Sequence, residues 1–187
     1  MQASATPFLS GVKLEDGGDT PLVDCTRYRQ LVGSLLYLTH SRLDLSYAIG
    51  VVSRYMQEPH ELHWKATKRI LRYVKETTSY GIHYASRCTL DLVGYIDSDW
   101  AGDAKDRKST SGNVLSIGFG LIFWSNRKQT TISLSLAEAE YRGVVNATTQ
   151  AIWLQNFLTE LGVQFHRPIV IWCDNQSTLK FCRDPIQ

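Results

Sequence analysis

The stretch LDLVGYID (90–97) decides the fold: an apolar run of strand length that ends on a carboxylate, Asp97. Two more strand candidates come next, near 113–118 and 121–125, with Gly118 to Gly120 making the turn between them. Residues 100–111 read as the loop before this pair. Residues 137–161 are helical in pattern, predicted in two pieces, and Gly162 caps the end. A short buried strand, 169–173, and a helix over 176–182 complete the series.

Working back from residue 90, GIHY (81–84) is a further strand candidate. Before it the period changes to that of helices. Leu31, Leu35, Leu36 and Leu38 suggest one helix face. Leu45, Ala48, Ile49, Val52 and Tyr55 mark a second helix over 44–55. Glu58-Pro59 breaks the pattern, and a third helix spans 61–75. The first 26 residues, with EDGGD at 15–19, have loop composition. The expected organisation is a linker-like 1–26, a helical segment 27–85 and a domain over 86–187. The order of elements is three helices, then β-β-β-α-β-α. That order predicts an α/β fold, a mixed sheet with helices on its faces.

The 187 residues are 43% apolar and 20% charged, ordinary for a globular chain. A net charge of +2 implies no polyanionic partner by itself, so nucleic-acid binding must rest on local clusters. Cys25, Cys88, Cys173 and Cys182 form no C-x-x-C pair and read as buried free thiols rather than as a zinc or disulfide framework. No secretory signal and no membrane-spanning run is present, so an intracellular location, cytoplasmic or nuclear, without membrane is expected.

Three acids stand out. Asp97 and Asp174 each end an apolar strand, and Glu140 sits among apolar neighbours near the start of the intervening helix. Alone, either aspartate reads as a cap for the segment after its strand. Together, in this order of elements, they point to one sheet edge where a shared cation offsets their repulsion. Oxygen ligands select magnesium or manganese, and two such ions roughly 4 Å apart suit phosphodiester cleavage.

Lys65, Lys68, Arg69, Arg72 and Lys75 recur at three- and four-residue steps along the third helix, opposite Ile70, Leu71 and Val74. Such a stripe is commonly only a solvated face, and it is also a candidate phosphate track. Arg107 and Lys108, and Arg127 and Lys128, are further candidates. Trp100 and Trp124 read as core residues with a stacking alternative. His60 and His63 read as surface residues flanking a helix start.

Several long motifs, in one order, resemble the Pol polyprotein of copia-type retrotransposons. They are GYIDSDWAGD (94–103), RKSTSG (107–112), IFWSNRKQ (122–129), SLAEAEY (135–141) and WCDNQS (172–177). Upstream, YRQLVGSLLYL (28–38), SRYM (53–56), Pro59-His60 and His63-Trp64-Lys65 are similar to the end of that family's reverse transcriptase. The resemblance implies a ribonuclease H-like domain with a five-stranded mixed sheet, preceded by the reverse transcriptase end. It implies an endonuclease, a hydrolase that cuts the RNA strand of an RNA–DNA hybrid with magnesium.

By motif, Asp97, Glu140 and Asp174 match the family's catalytic metal ligands. Asp99 and Glu138 are near neighbours that invite confusion with them. Asp97 is preferred because it directly ends the strand, and Glu140 for its spacing to the helix beyond. Leu43 stands where the family usually has Pro. The resemblance also implies that the palm with its paired aspartates, the last strand, the last helix and a fourth ligand lie outside these 187 residues. That opens a second reading: a catalytically dead remnant of a retroelement that binds nucleic acid or protein. A third is a helical interaction module whose acids are surface caps. Partners implied are an RNA–DNA hybrid and the rest of a reverse transcriptase.

Overall fold

The computed structural model describes residues 4–9, 14, 20–85, 90–102 and 106–183. The acidic run at 15–19, together with Cys88, Lys105 and Asp184, lies outside the described residues. The chain forms two units, Met1–Ile82 and His83–Gln187.

The first unit is helical. Helix α1 (Cys25–Leu38) starts at Asp24, whose carboxylate accepts from the N–H groups of Thr26 and Arg27 at 2.8 and 3.2 Å. Its buried face is Tyr28, Val32 and Leu35, at i, i+4 and i+7. The expected leucine face is therefore corrected: Leu36 is exposed, and Leu31 and Leu38 pack only at the edge of the core. A 3₁₀ turn (Leu43–Leu45) leads into α2 (Ser46–Ser53), which buries Ala48, Ile49 and Val52. Helix α3 (Glu61–Glu76) buries His63, Thr67, Ile70 and Tyr73.

Each large apolar side chain fully buried here contributes about 1.5–3 kcal/mol. Tyr28 also satisfies its hydroxyl by donating to the Val52 carbonyl at 2.7 Å. Leu14 joins this core and its carbonyl accepts from the Tyr55 hydroxyl, contacts that the loop-like composition of the N-terminus did not signal.

Two readings of this unit are corrected. His63 is fully buried rather than on the surface; it stacks on Tyr55 and its Nδ1 accepts from the His60 N–H at 2.9 Å. Leu71 is exposed, and the apolar side of α3 runs instead through Ile70 and Tyr73 with Val74 at its margin.

The second unit is α/β. Strands β1 (Leu92–Ser98), β2 (Thr110–Ile117), β3 (Gly120–Lys128) and β4 (Val170–Trp172) form a mixed sheet ordered β3-β2-β1-β4. The β1–β2 and β2–β3 pairs are antiparallel, and β1–β4 is parallel. Gly118, at φ 55°, makes the hairpin turn where the sequence placed it. The strand expected over 81–84 does not form. Its Tyr84 reaches the sheet through its side chain, the ring lying against Gly120 and the hydroxyl donating to the Leu121 carbonyl at 2.7 Å.

Helix α4 (Leu136–Glu160) is one helix, not two. Its core partners are Leu92 and Leu115 on the sheet, met by Ala151 and Leu154. Gly162, at φ 89°, ends the turn beyond it. Helix α5 (Gln176–Arg183) closes the described chain.

Candidate metal centre and nucleic-acid surface

The parallel register brings two of the acids to one edge. Tyr95 of β1 lies beside Trp172 of β4, and two residues beyond this pair stand Asp97 and Asp174. Both are exposed.

Glu140 arrives from α4. At Gly143 a Cβ would lie 2.6 Å from both Ile96 Cδ1 and Ser98 Oγ, so only glycine lets the helix approach β1 this closely. Glu140, three residues earlier and on the same face, is driven against the end of β1. It is only 3% exposed, and its Oε1 accepts from the Ser98 backbone N–H at 3.1 Å.

Asn175, not Asp174, caps α5: its Oδ1 accepts from the Thr178 N–H at 3.0 Å. The Thr178 hydroxyl donates to the Ala137 carbonyl at 3.0 Å and so pins α5 to the first turn of α4. Glu138 is occupied at the N-terminus of α4. It accepts from the Leu134 N–H at 2.8 Å and pairs with Arg142 at 2.8 Å. The Leu134 N–H and then Arg142 hold its carboxyl below the ordinary range. Asp99 accepts from the Thr110 N–H at 2.6 Å. Both near neighbours thus have structural partners.

One residue escaped the sequence reading. Ligand atoms of Glu140, Cys173 and Asp174 all lie within 4.8 Å of one another, and Asp97 stands outside this group. Cys173 Sγ is 3.9 Å from Glu140 Oε2. The thiols are not uniformly buried as expected: Cys25 and Cys173 are half-buried and Cys182 is exposed. The available signal was the position of Cys173 directly before Asp174.

Burial raises the Glu140 carboxyl above its ordinary value; the Ser98 N–H offsets part of this, while Asp97 and Asp174 raise it further. Burial likewise raises the Cys173 thiol. A desolvated carboxylate with two acids in range is short of positive charge. The oxygen donors of Glu140 and Asp174 suit a magnesium or manganese ion, with Asp97 outside their ligand distance; the thiol is a soft donor.

The predicted cations divide into paired and open. On α3, Lys65 pairs with Glu61 at 3.0 Å, and Lys68 lies over the Trp64 ring at 5.3 Å. Arg69 is half-buried and donates to Thr6 Oγ1 at 3.0 Å. Arg72 is half-buried and Lys75 exposed; Lys65, Lys68, Arg72 and Lys75 sit opposite the buried face, while Arg69 lies at its margin with a buried Nε. In the second unit Lys108 and Lys128 both face Asp106, at 4.0 and 2.9 Å. Arg107 and Arg127 are exposed. Arg127 and Lys128 line a cleft of about 750 Å³ with Glu138, Tyr141 and Arg142, a lining that includes none of Asp97, Glu140 and Asp174. Trp100 is half-exposed rather than core, its ring held by Nε1 donating to the Ser133 carbonyl at 3.0 Å. Trp124 is half-buried.

The chain is similar to known proteins along nearly its whole length. Over 97% of its length the chain is 44% identical to the retrovirus-related Pol polyproteins from transposons RE2 and RE1 of Arabidopsis thaliana. It is 43% identical over 128 residues to secreted RxLR effector protein 161 of Plasmopara viticola, covering 90% of that protein. The chain belongs to the Pol polyprotein family of copia-type retrotransposons. It spans 12% of the length of the two Pol polyproteins. No family model matches the chain, and no solved structure matches it. Among the described residues of this Pol-family chain, no helix is long and apolar enough to cross a membrane.

Proposed function

We propose that this Pol-family chain carries the end of a reverse transcriptase, residues 27–85, and a ribonuclease H-like domain, residues 86–187, that cuts the RNA strand of RNA–DNA hybrids. The observation that carries the reading is Glu140: a carboxylate buried under the Ser98 N–H, with Asp174 beside it and Asp97 within electrostatic range. A structural role alone leaves this carboxyl desolvated beside two acids, which raises it above its ordinary value, whereas a bound cation would favour its charged form.

Asp97, Glu140 and Asp174 would hold two magnesium ions, with manganese as a substitute. Bound there, the ions supply an activated water and neutralise charge on the leaving oxygen. The protein's own part is positional. Ser98 fixes the Glu140 carboxylate, and the exposed Asp97 and Asp174 face the solvent from which substrate arrives. Trp100 presents a held ring beside Asp99 for stacking on a sugar or base. Lys65, Lys68, Arg69, Arg72 and Lys75, with Arg107, Lys108, Arg127 and Lys128, are the candidate phosphate contacts.

The test is cleavage of a labelled RNA–DNA hybrid with and without magnesium. Cleavage that needs magnesium and disappears in Asp97→Asn, Glu140→Gln and Asp174→Asn, with circular dichroism unchanged, supports the nuclease. Hybrid binding without cleavage by the unaltered chain overturns it in favour of a binding module.

A further inference from the structure

We propose that Glu140, Cys173 and Asp174 form a site for a thiophilic divalent cation, zinc or cadmium, competing with magnesium for the same carboxylates. The competition rests on the nuclease reading above; the binding of the soft cation does not.

The donor set is the reason. Two carboxylate oxygens and a sulfur, gathered within 4.8 Å from near the start of α4 and from the two residues after β4, are a borderline-soft set rather than a hard one. In a tetrahedral zinc site with one sulfur, adjacent sulfur and oxygen ligands stand about 3.6 Å apart, from bond lengths of about 2.3 and 2.1 Å. The Cys173 Sγ to Glu140 Oε2 separation is 3.9 Å, so closure onto an ion needs a shift of a few tenths of an ångström there. Asp174 is exposed, which leaves solvent access for a fourth ligand, as an exchangeable site requires. Magnesium gains nothing from the sulfur, whereas zinc and cadmium do, and this separates the two classes of ion at one place. Binding releases the thiol proton to solvent, leaving sulfur as the thiolate ligand.

The Glu140 side is rigid, because Ser98 donates to it and Gly143 sets α4 against β1. The Cys173 side is anchored by Asn175, which caps α5, and by Thr178, which ties α5 to Ala137. Both halves of the site are thus fixed by contacts that do not use the ligand atoms facing the ion, apart from Glu140 Oε1.

The experiment uses the full chain with Cys25, Cys88 and Cys182 replaced by serine, titrated with cadmium alone and followed by the ultraviolet sulfur-to-cadmium charge-transfer band. The expected result is a saturable band at one equivalent, absent in Cys173→Ser. Because losing even a supporting residue costs about tenfold in metal affinity, Asp174→Asn and Glu140→Gln, which keep the thiol, should each raise the midpoint at least tenfold. An unchanged midpoint in both variants means a lone thiol and overturns the site. So does the lack of a band while Cys173 still reacts with a thiol reagent. The readout needs no cleavage, so an inactive chain that shows the band loses only the nuclease reading, and an active chain without the band loses only this one.

Discussion

The backbone N–H of Ser98 donates to Glu140 Oε1 at 3.1 Å, so the last residue of β1 holds a carboxylate carried near the start of α4. That bond satisfies one oxygen and leaves the charge uncompensated. Glu140→Gln removes the charge and keeps the shape. Magnesium should raise the melting temperature of the unaltered chain, by linkage to the folded state. It should fail to do so in Glu140→Gln and in Asp174→Asn. Thermal unfolding with and without magnesium checks this; a magnesium shift retained in both variants places the ion elsewhere.

Gly143 sets how closely α4 approaches β1, and Ser98 Oγ, one of the atoms a Cβ would strike, is already held by Ser111 Oγ at 2.9 Å. Gly143→Ala should destabilise the second unit by about 1–3 kcal/mol through overpacking, despite alanine's better helix propensity. Chemical denaturation measures it. An alanine variant as stable as the parent would show that the helix can back away without loss.

Arg42 and Asp44 make a two-pronged pair at 2.9 and 2.7 Å that straddles Leu43. Arg42 also donates to the Thr77 carbonyl at 2.8 Å, and the Tyr73 hydroxyl donates to Asp44 at 3.0 Å. Arg42, then Tyr73, hold the Asp44 carboxyl below its ordinary value of 3.8 against the opposing effect of burial. A depressed folded-state value means the stabilisation is fully present above about 3.8 and is lost as pH falls through the lower folded value. Asp44→Asn should therefore flatten the acid limb of the first unit's stability curve. At neutral pH it should cost about 1–3 kcal/mol, less than a fully buried pair, because Asp44 is about one-third exposed. Denaturation midpoints from pH 7 down to about 2.5 decide it.

Lys68, Arg72 and Lys75 lie on the α3 face away from Ile70 and Tyr73. Changing all three to glutamine should leave unfolding within about 0.5 kcal/mol of the parent. Hybrid binding should weaken, and the slope of log affinity against log salt should fall by up to about 0.9 per lost phosphate contact. Equal slopes for parent and variant would make the stripe a solvated face and nothing more.

Much of this was legible beforehand for a physical reason. Local periodicity marks elements, so β1, the hairpin around Gly118 and the strand before Asp174 could be read from apolar runs and turn residues, although that last strand, expected to be buried, is exposed at Val170 and Trp172. Errors arose where partners decide. GIHY has strand composition, yet strand formation needs a backbone ladder, and Tyr84 reaches the sheet through its side-chain hydroxyl instead. His63 was placed outside by its polarity, yet it is buried with its Nδ1 satisfied by the His60 N–H. Gly143 was passed over because a helical glycine shows its use only when a strand lies against it.

The amino-acid order alone marked most of the helices and strands, though not the absence of a strand at 81–84 or the continuity of α4, and placed Asp97 and Asp174 near strand ends, because these arise from patterns over a few neighbours. It also left Asp99 competing with Asp97, and Glu138 with Glu140. Sequence position favours Asp97 and Glu140; tertiary structure adds that Thr110 and Leu134 engage Asp99 and Glu138, while the close packing of α4 on β1 buries Glu140 beside Cys173 and Asp174. Burial and desolvation come from distant segments meeting, and no local stretch of sequence contains them.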